Sequence, residues 1–185
     1  GSTTTFWGPG VSQGHSDAVR RIDGVADAKQ YTVPVEATVQ AVKDGRDVEL
    51  APRTMHKRDC FVVAEEGADL ERIEREIVEM PNYFSDYDTT VTFISAKELA
   101  REHAGMPHGG QVIRAGKTDN DVESTITYQL QLGSNPEFTG SVLVAAGRAV
   151  ARMAVRGQTG AVTLFDVTLT DLSPVSAGDL RKNYL

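Results

Sequence analysis

The sequence predicts an α+β fold, a mixed β-sheet with helices packed mainly on one face and the open face used for dimerisation. Two observations indicate it. Strands and helices alternate along the first part of the chain, and two strands then follow each other with no helix between them. Helices layered on one face of such a sheet leave the other face uncovered. A second copy of the chain would cover that face most simply, so we expect a homodimer.

The predicted strands come from runs of alternating or β-branched residues that end at turn residues. The alternation is clearest in ESTITYQLQL, residues 123–132. The expected strands lie at the start of the chain, around Phe6, and at 28–33, 58–64, 88–94, 111–115, 123–132 and 161–169.

The predicted helices come from apolar stripes and capping residues. The clearest covers residues 68–80, where Leu70, Ile73 and Ile77 fall on one face. Ser95 with Glu98 forms a capping box, and Asn135 caps a long helix whose small residues at 145–149 allow close approach of a neighbour. The other helices are expected at 16–22 and from 35 to a cap at Gly45, whereas 46–54 is predicted to be a loop and the residues after 169 a polar tail.

Composition limits the classes of partner. The chain has 185 residues, with 19 basic and 26 acidic side chains and a formal net charge of -7. This acidic balance disfavours nucleic acid as a partner. Cys60 is the only cysteine, and no apolar run looks long enough to span a membrane. We therefore predict a cytoplasmic protein with neither nucleic-acid nor membrane partners, in which residues 1–2 are a tag remnant and 3–185 form one domain.

A glycine-rich turn at Gly8-Pro9-Gly10, followed by Gln13-Gly14, joins the first strand to the first helix. Backbone N–H groups at a helix start favour an anion, and an amide such as that of Gln13 can donate to a carboxylate. A dinucleotide fingerprint is rejected, because a proline lies inside the turn and the glycine spacing is one residue too long. The ordinary alternative is a turn whose glycines serve only the backbone.

Four polar residues at element ends could form a receptor for a carboxylate: Thr32, Arg58, His108 and Asn135. A planar guanidinium donates two parallel hydrogen bonds to a carboxylate. Each residue also has an ordinary structural explanation. Thr32 could favour the strand, Arg58 could form a surface ion pair, His108 could be a loop residue and Asn135 could be a helix cap. No catalytic residue or metal site is predicted, because the histidines lack ligand spacing and Cys60 lies in an apolar strand.

Several long motifs then match a known family. They are FWGPGVSQGHSDAVRRI from Phe6, MHKRDCFVVA from Met55, MPNYF from Met80, HAGMPHGG from His103, and NPEFT, GRAVARM and GQTGA near the end. Together they resemble the meso-diaminopimelate dehydrogenases over nearly the whole chain. The resemblance implies the substrate-binding and dimerisation part of such an enzyme, with an NADP-binding Rossmann domain that would precede this chain.

The resemblance also implies a reaction and roles for residues. The family oxidatively deaminates the D-centre of meso-2,6-diaminopimelate to L-2-amino-6-oxopimelate and ammonia, in lysine and cell-wall precursor synthesis. Substrate-binding roles carry over at the reacting D-end to Trp7, Gln13 and Gly14, at the distal carboxylate to Thr32, Arg58 and His108, and near the distal amino group to Asn135. Neither NADP binding nor turnover is expected of this chain alone.

Two alternatives remain. A stand-alone binding or dimerisation module would keep the carboxylate receptor without redox chemistry. An unrelated α+β structural protein would require the long motif matches to be accidental. A strand-GxGxxG-helix unit encoded before Gly1 would separate the dehydrogenase from the stand-alone module.

Overall fold

The computed structural model describes every residue from 1 to 185, and the chain divides into two compact units, Gly1–Ser134 and Asn135–Leu185. The first unit contains all seven strands, and the second is helical. The α+β class predicted from the sequence is confirmed, but the strands form two sheets where the alternation predicted one.

The first sheet is antiparallel and three-stranded. It contains β1 (Ser2–Trp7), β6 (His108–Lys117) and β7 (Glu123–Leu132), with β6 in the middle. The bounds of β7 are those predicted from its alternation. β6 is longer than predicted, because it pairs along its whole length with β7.

The second sheet is mixed and four-stranded, in the order β2 (Gly10–Val11), β3 (Val25–Pro34), β4 (His56–Ala64) and β5 (Asp88–Phe93). Only β4 and β5 run parallel. Their register sets Arg58 opposite Thr32 on one side and Thr89 on the other. The second sheet therefore brings these three residues onto neighbouring positions.

The helices of the first unit are α1 (Gln13–Arg20), α2 (Glu36–Lys43), α3 (Pro52–Met55), α4 (Leu70–Val78) and α5 (Ala96–Glu102). The prediction of a loop over 46–54 was wrong at its end, where α3 begins with a proline in its first turn. Proline suits that position because its missing N–H has no partner there. The helix predicted at 16–22 begins earlier, so Gln13 and Gly14 lie inside α1.

Two apolar cores hold the first unit. In the larger, Val19 of α1 and Ile73 and Ile77 of α4 pack against one face of the second sheet, at Cys60 and Val62. The smaller core packs α2 on the first sheet, through Phe6, Val39, Val42 and Ile113. Burial of each such side chain contributes about 1.5–3 kcal/mol.

The second unit consists of α6 (Asn135–Val155), a 3₁₀ turn (Leu164–Asp166), α7 (Leu169–Leu172) and α8 (Ala177–Tyr184). The strand predicted at 161–169 was wrong, and the residues predicted as a polar tail include the helix α8. Local hydrogen bonds compete with an extended chain here. The Asp166 carboxylate accepts from the Thr163 N–H at 2.8 Å, and Thr168 caps α7.

Arginines spaced four residues apart, on α6 and directly after it, hold this irregular segment. Arg152 donates to the carbonyl oxygens of Thr170 and Ser173 at 2.6 and 2.8 Å, and Arg156 forms two hydrogen bonds to Asp171 at 2.7 and 2.9 Å. The hydrogen bonds from Arg156 hold the pKa of the Asp171 carboxyl below its usual range.

The long helix α6 has a largely exposed apolar surface. The small residue Ala149 is buried rather than exposed, while Leu143 and Val150 are exposed. By length and composition α6 could cross a membrane, with a mean hydropathy of 1.3 in its most apolar window, so the expectation that no run is long enough was wrong. One such helix is weak evidence of a membrane span. Its exposed valines and leucine are equally suited to contact with another protein surface.

Candidate functional site

The candidate site is a pocket of about 480 Å³ in the first unit. Four residues singled out from the sequence share it: Trp7, Thr32, Arg58 and His108. The other lining residues are Thr5, Ser12, His15, Leu50, Pro52, Met55, His56 and Tyr87. Two further pockets of similar volume lack a buried charged side chain, which makes the pocket around Arg58 the chemically distinctive one.

Arg58 is buried without a carboxylate partner. Its guanidinium donates to the hydroxyl of Thr32, and its Cζ lies 4.0 Å from the ring centroid of Tyr87. Its Nε has no hydrogen-bond partner in the protein, and no acidic side chain forms an ion pair with it. Burial lowers the pKa of Arg58. A buried, unpaired cation is costly, and an anion in the pocket would offset that cost.

Two histidines stand beside this cation. Burial, and secondarily the charge of Arg58, lower the pKa of both His15 and His56 to about 4. The Nε2 of His56 accepts the backbone N–H of Trp7 at 2.9 Å, so its proton sits on Nδ1. His15 pairs with the Ser12 hydroxyl at 2.7 Å. Near neutral pH both rings are uncharged, which leaves Arg58 as the main positive charge of the pocket.

The glycine turn places His108 at the pocket. The Gly8 N–H donates to the Gly109 carbonyl and the Val11 N–H to the Pro107 carbonyl, each at 2.8 Å. A Cβ on Gly10 would collide with the backbone and ring of His108, so glycine is required for this approach. The Nδ1 atom of His108 is buried and has no partner in the protein. It therefore has a free hydrogen-bonding position.

Three of the seven predicted residues do not line this pocket. Gln13 and Gly14 begin α1 and are exposed, and the Gln13 amide contacts the Met106 sulfur at 3.1 Å. Asn135 begins α6 in the second unit, where its Oδ1 lies 3.5 Å from the Thr139 hydroxyl.

Sequence reasoning missed His15, His56 and Tyr87 as pocket residues. His56 could have been found, because it precedes Arg58 by two positions and so lies on the same face of β4. Tyr87 gave no such signal. It reaches Arg58 from the turn before β5, and only the parallel pairing of β4 with β5 brings that turn to the pocket.

Comparison with known protein families finds a match for the first unit. Residues 1–134 match the model of the diaminopimelic acid dehydrogenase C-terminal domain. The chain belongs to this family. The match ends where the first compact unit ends, at Ser134. The family domain therefore corresponds to the two-sheet unit that contains the pocket.

Individual relatives extend the likeness to the whole chain. The meso-diaminopimelate D-dehydrogenase of Acetivibrio thermocellus is 56% identical over 100% of this chain and 56% of its own length. A solved meso-diaminopimelate dehydrogenase mutant of Clostridium tetani with DAP gives a TM-score of 0.92 at 45% identity, covering 100% of this chain and 57% of that one. An engineered D-amino acid dehydrogenase bound to NADP⁺ gives a TM-score of 0.81 at 44% identity, with the same coverage. The chain thus spans little more than half the length of these relatives.

Gly10→Ala is expected to destabilise the first unit by about 1–3 kcal/mol, because the new methyl group collides with the β6 backbone at His108. Urea unfolding followed by circular dichroism measures this. Gly14→Ala is the matched control, since its Cβ would meet no atom within 4 Å and glycine weakens a helix. Equal stability of the two variants would contradict the close approach of Gly10 to His108.

The two depressed histidine pKa values make stability depend on pH. As pH falls below about 6.5 the unfolded chain protonates these histidines. The folded chain does so only near pH 4. The free energy of unfolding should therefore fall between these values, and less so in His56→Gln. Imidazole titration by NMR measures the midpoints directly, and midpoints near 6.5 for both rings would contradict this account.

Proposed function

We propose that this chain is the substrate-binding and dimerisation part of an NADP-dependent meso-2,6-diaminopimelate D-dehydrogenase. The observation that carries the proposal is the buried Arg58 guanidinium, which faces a pocket and has no carboxylate partner. The substrate supplies a carboxylate at each end, and its distal carboxylate would compensate this charge. Thr32 orients the guanidinium, and His108 lines the same pocket.

A solved relative supports the choice of residues. The Clostridium tetani mutant carries substitutions at a glutamine, a threonine, an arginine, a proline, a histidine and an asparagine. Their order and spacing match those of Gln13, Thr32, Arg58, Pro107, His108 and Asn135 in this chain. In our proposal Trp7, Gln13 and Gly14 approach the reacting D-end, and Asn135 approaches the distal amino group.

The chemistry would be an oxidative deamination. The D-centre would give a hydride to NADP⁺ while its amino group loses a proton, and water would convert the resulting imine to L-2-amino-6-oxopimelate and ammonia. The residues of this chain do not fit a dinucleotide site, because Pro9 lies in the glycine turn and β2 has only two residues. The cofactor would therefore be held by the rest of a longer protein, and this chain would position the substrate within a cytoplasmic route to lysine and cell-wall precursors.

The uncovered face of the first sheet supports a homodimer. Ile126, Tyr128 and Leu130 alternate along β7 and are all exposed, Tyr128 by 71%. They share the face of β6 that carries Val112, whereas Ile113 points into the core under α2. An apolar sheet face of this kind suits a two-fold contact with a second copy.

Arg58→Met in the full-length protein should raise the KM for meso-2,6-diaminopimelate roughly tenfold to a hundredfold, because the distal carboxylate loses a charged hydrogen-bond donor. D-Lysine lacks that carboxylate, so its kcat/KM should change little and the preference between the two substrates should shrink. Steady-state kinetics measures both. Arg75→Met on the exposed face of α4 is the control. An unchanged preference in Arg58→Met would contradict the assignment of Arg58 to the distal carboxylate.

Calorimetry tests the binding role of the chain by itself. We expect meso-2,6-diaminopimelate to bind, NADP⁺ not to bind, and Arg58→Met to abolish the heat of substrate binding. Nucleotide binding would contradict the rejection of the glycine turn as a cofactor site. Substrate binding that survives Arg58→Met would place the receptor elsewhere.

A further inference from the structure

Arg58 and two residues at neighbouring strand positions carry buried polar atoms without protein partners. They are both amide atoms of Gln30, the Nε of Arg58 and the hydroxyl of Thr89. Gln30 is completely buried. Such atoms are rare in folded proteins, since each costs about 1–3 kcal/mol when left without a partner. Several of them in one place call for a common explanation.

The sheet register places these atoms together. Thr89 on β5 pairs directly with Arg58 on β4. Gln30 on β3 pairs with Cys60, which puts it diagonal to Arg58, within reach of a long side chain. All three side chains lie on the face of the sheet that carries Ala28, Val62 and Phe93, because positions two apart share a face. Arg58 is therefore flanked on both sides by polar groups beneath the pocket.

Water molecules can link the unpartnered donors and acceptors of Arg58, Gln30 and Thr89. The Nε of Arg58 can only donate, whereas the Gln30 carbonyl can only accept and its amide nitrogen can only donate. A water molecule can accept from one group and donate to another, and buried waters typically make about three such bonds. The Thr89 hydroxyl serves either role. Ordered water would satisfy all of these atoms together.

We propose that Gln30 and Thr89 are positioning residues, which hold ordered water against the Nε edge of Arg58 and so fix its guanidinium for a carboxylate in the pocket. The inference rests on the proposed function of Arg58. Neither residue lines the pocket, so neither touches the ligand. Thr32 accepts a hydrogen bond from the Nη1 atom of Arg58, and the ring of Tyr87 lies against the face of the guanidinium. The ordered water would bind the Nε atom.

The test uses the full-length protein with Gln30→Met and Thr89→Val, which remove the polar atoms at nearly constant volume. Each should raise the KM for meso-2,6-diaminopimelate about tenfold with kcat unchanged, the loss of one hydrogen bond to a charged group. The kcat/KM for D-lysine, which has no distal carboxylate, should stay the same. Thr89→Ser restores the hydroxyl and should restore the KM.

Controls separate positioning from folding. Cys60→Ala alters a buried neighbour with no unpartnered polar atom, so it should lower the melting temperature without changing the ratio of the two kcat/KM values. Equal changes for both substrates in Gln30→Met and Thr89→Val would overturn the inference. So would a crystal structure of the full-length protein with no water between Gln30 or Thr89 and the Nε of Arg58.

A double mutant separates this inference from the proposed function. In an Arg58→Met background, Thr89→Val should cause no further loss of preference, because its effect passes through the guanidinium. Additive losses would overturn the inference. If Arg58→Met alone leaves the preference unchanged, the proposed function fails. If Arg58→Met reduces the preference but Gln30→Met and Thr89→Val do not, only the positioning role fails.

Discussion

The pocket depends on the crossing of two chain segments at the glycine turn. The Gly8 and Val11 N–H groups donate to carbonyls at the beginning of β6, and these bonds tie the three-stranded sheet to the four-stranded one. Only glycine allows the turn to approach this closely, because a Cβ on Gly8 would collide with the Thr32 carbonyl and one on Gly10 with His108. The glycine turn, which the sequence analysis rejected as a dinucleotide fingerprint, therefore joins the two sheets, and it brings His108 into the lining of the pocket.

The charge of Arg58 distinguishes the pocket chemically. Arg58 is placed on a central strand, where its guanidinium contacts a hydroxyl and an aromatic ring but no carboxylate. The neighbouring histidines are kept neutral near pH 7 by burial and by the same guanidinium. A single positive charge in a half-enclosed site is strong enough to select an anion, and a planar guanidinium selects a carboxylate over a point-like anion. In the function proposed above, this arrangement would select the distal carboxylate of the substrate.

The two units of the chain differ in the features that they carry. The family match covers only the first unit, which holds the pocket and the uncovered sheet face. The second unit is held by arginine contacts along α6 and leaves valines and a leucine exposed. Relatives share sequence with both units but extend over nearly twice the length. Both units leave apolar surface exposed, on β7 and on α6, and exposed apolar patches of this kind are typical of interaction sites.

The sequence by itself determined the elements whose signals are local. The stripe at Leu70, Ile73 and Ile77 gave α4, and the alternation of residues 123–132 gave β7. Thr32, Arg58 and His108 could also be proposed as binding residues from the sequence, because polar residues at the ends of predicted elements can be recognised without a structure. Only the tertiary structure decided the division into two sheets, the approach of Tyr87 to Arg58, and the 3₁₀ turn at 164–166 and helix α7 where a strand was predicted. The sheets and the Tyr87 contact depend on strand pairing between residues far apart in the chain, which periodicity within a short window does not contain. In the last segment, local hydrogen bonds of Asp166 and Thr168 act together with contacts from Arg152 and Arg156.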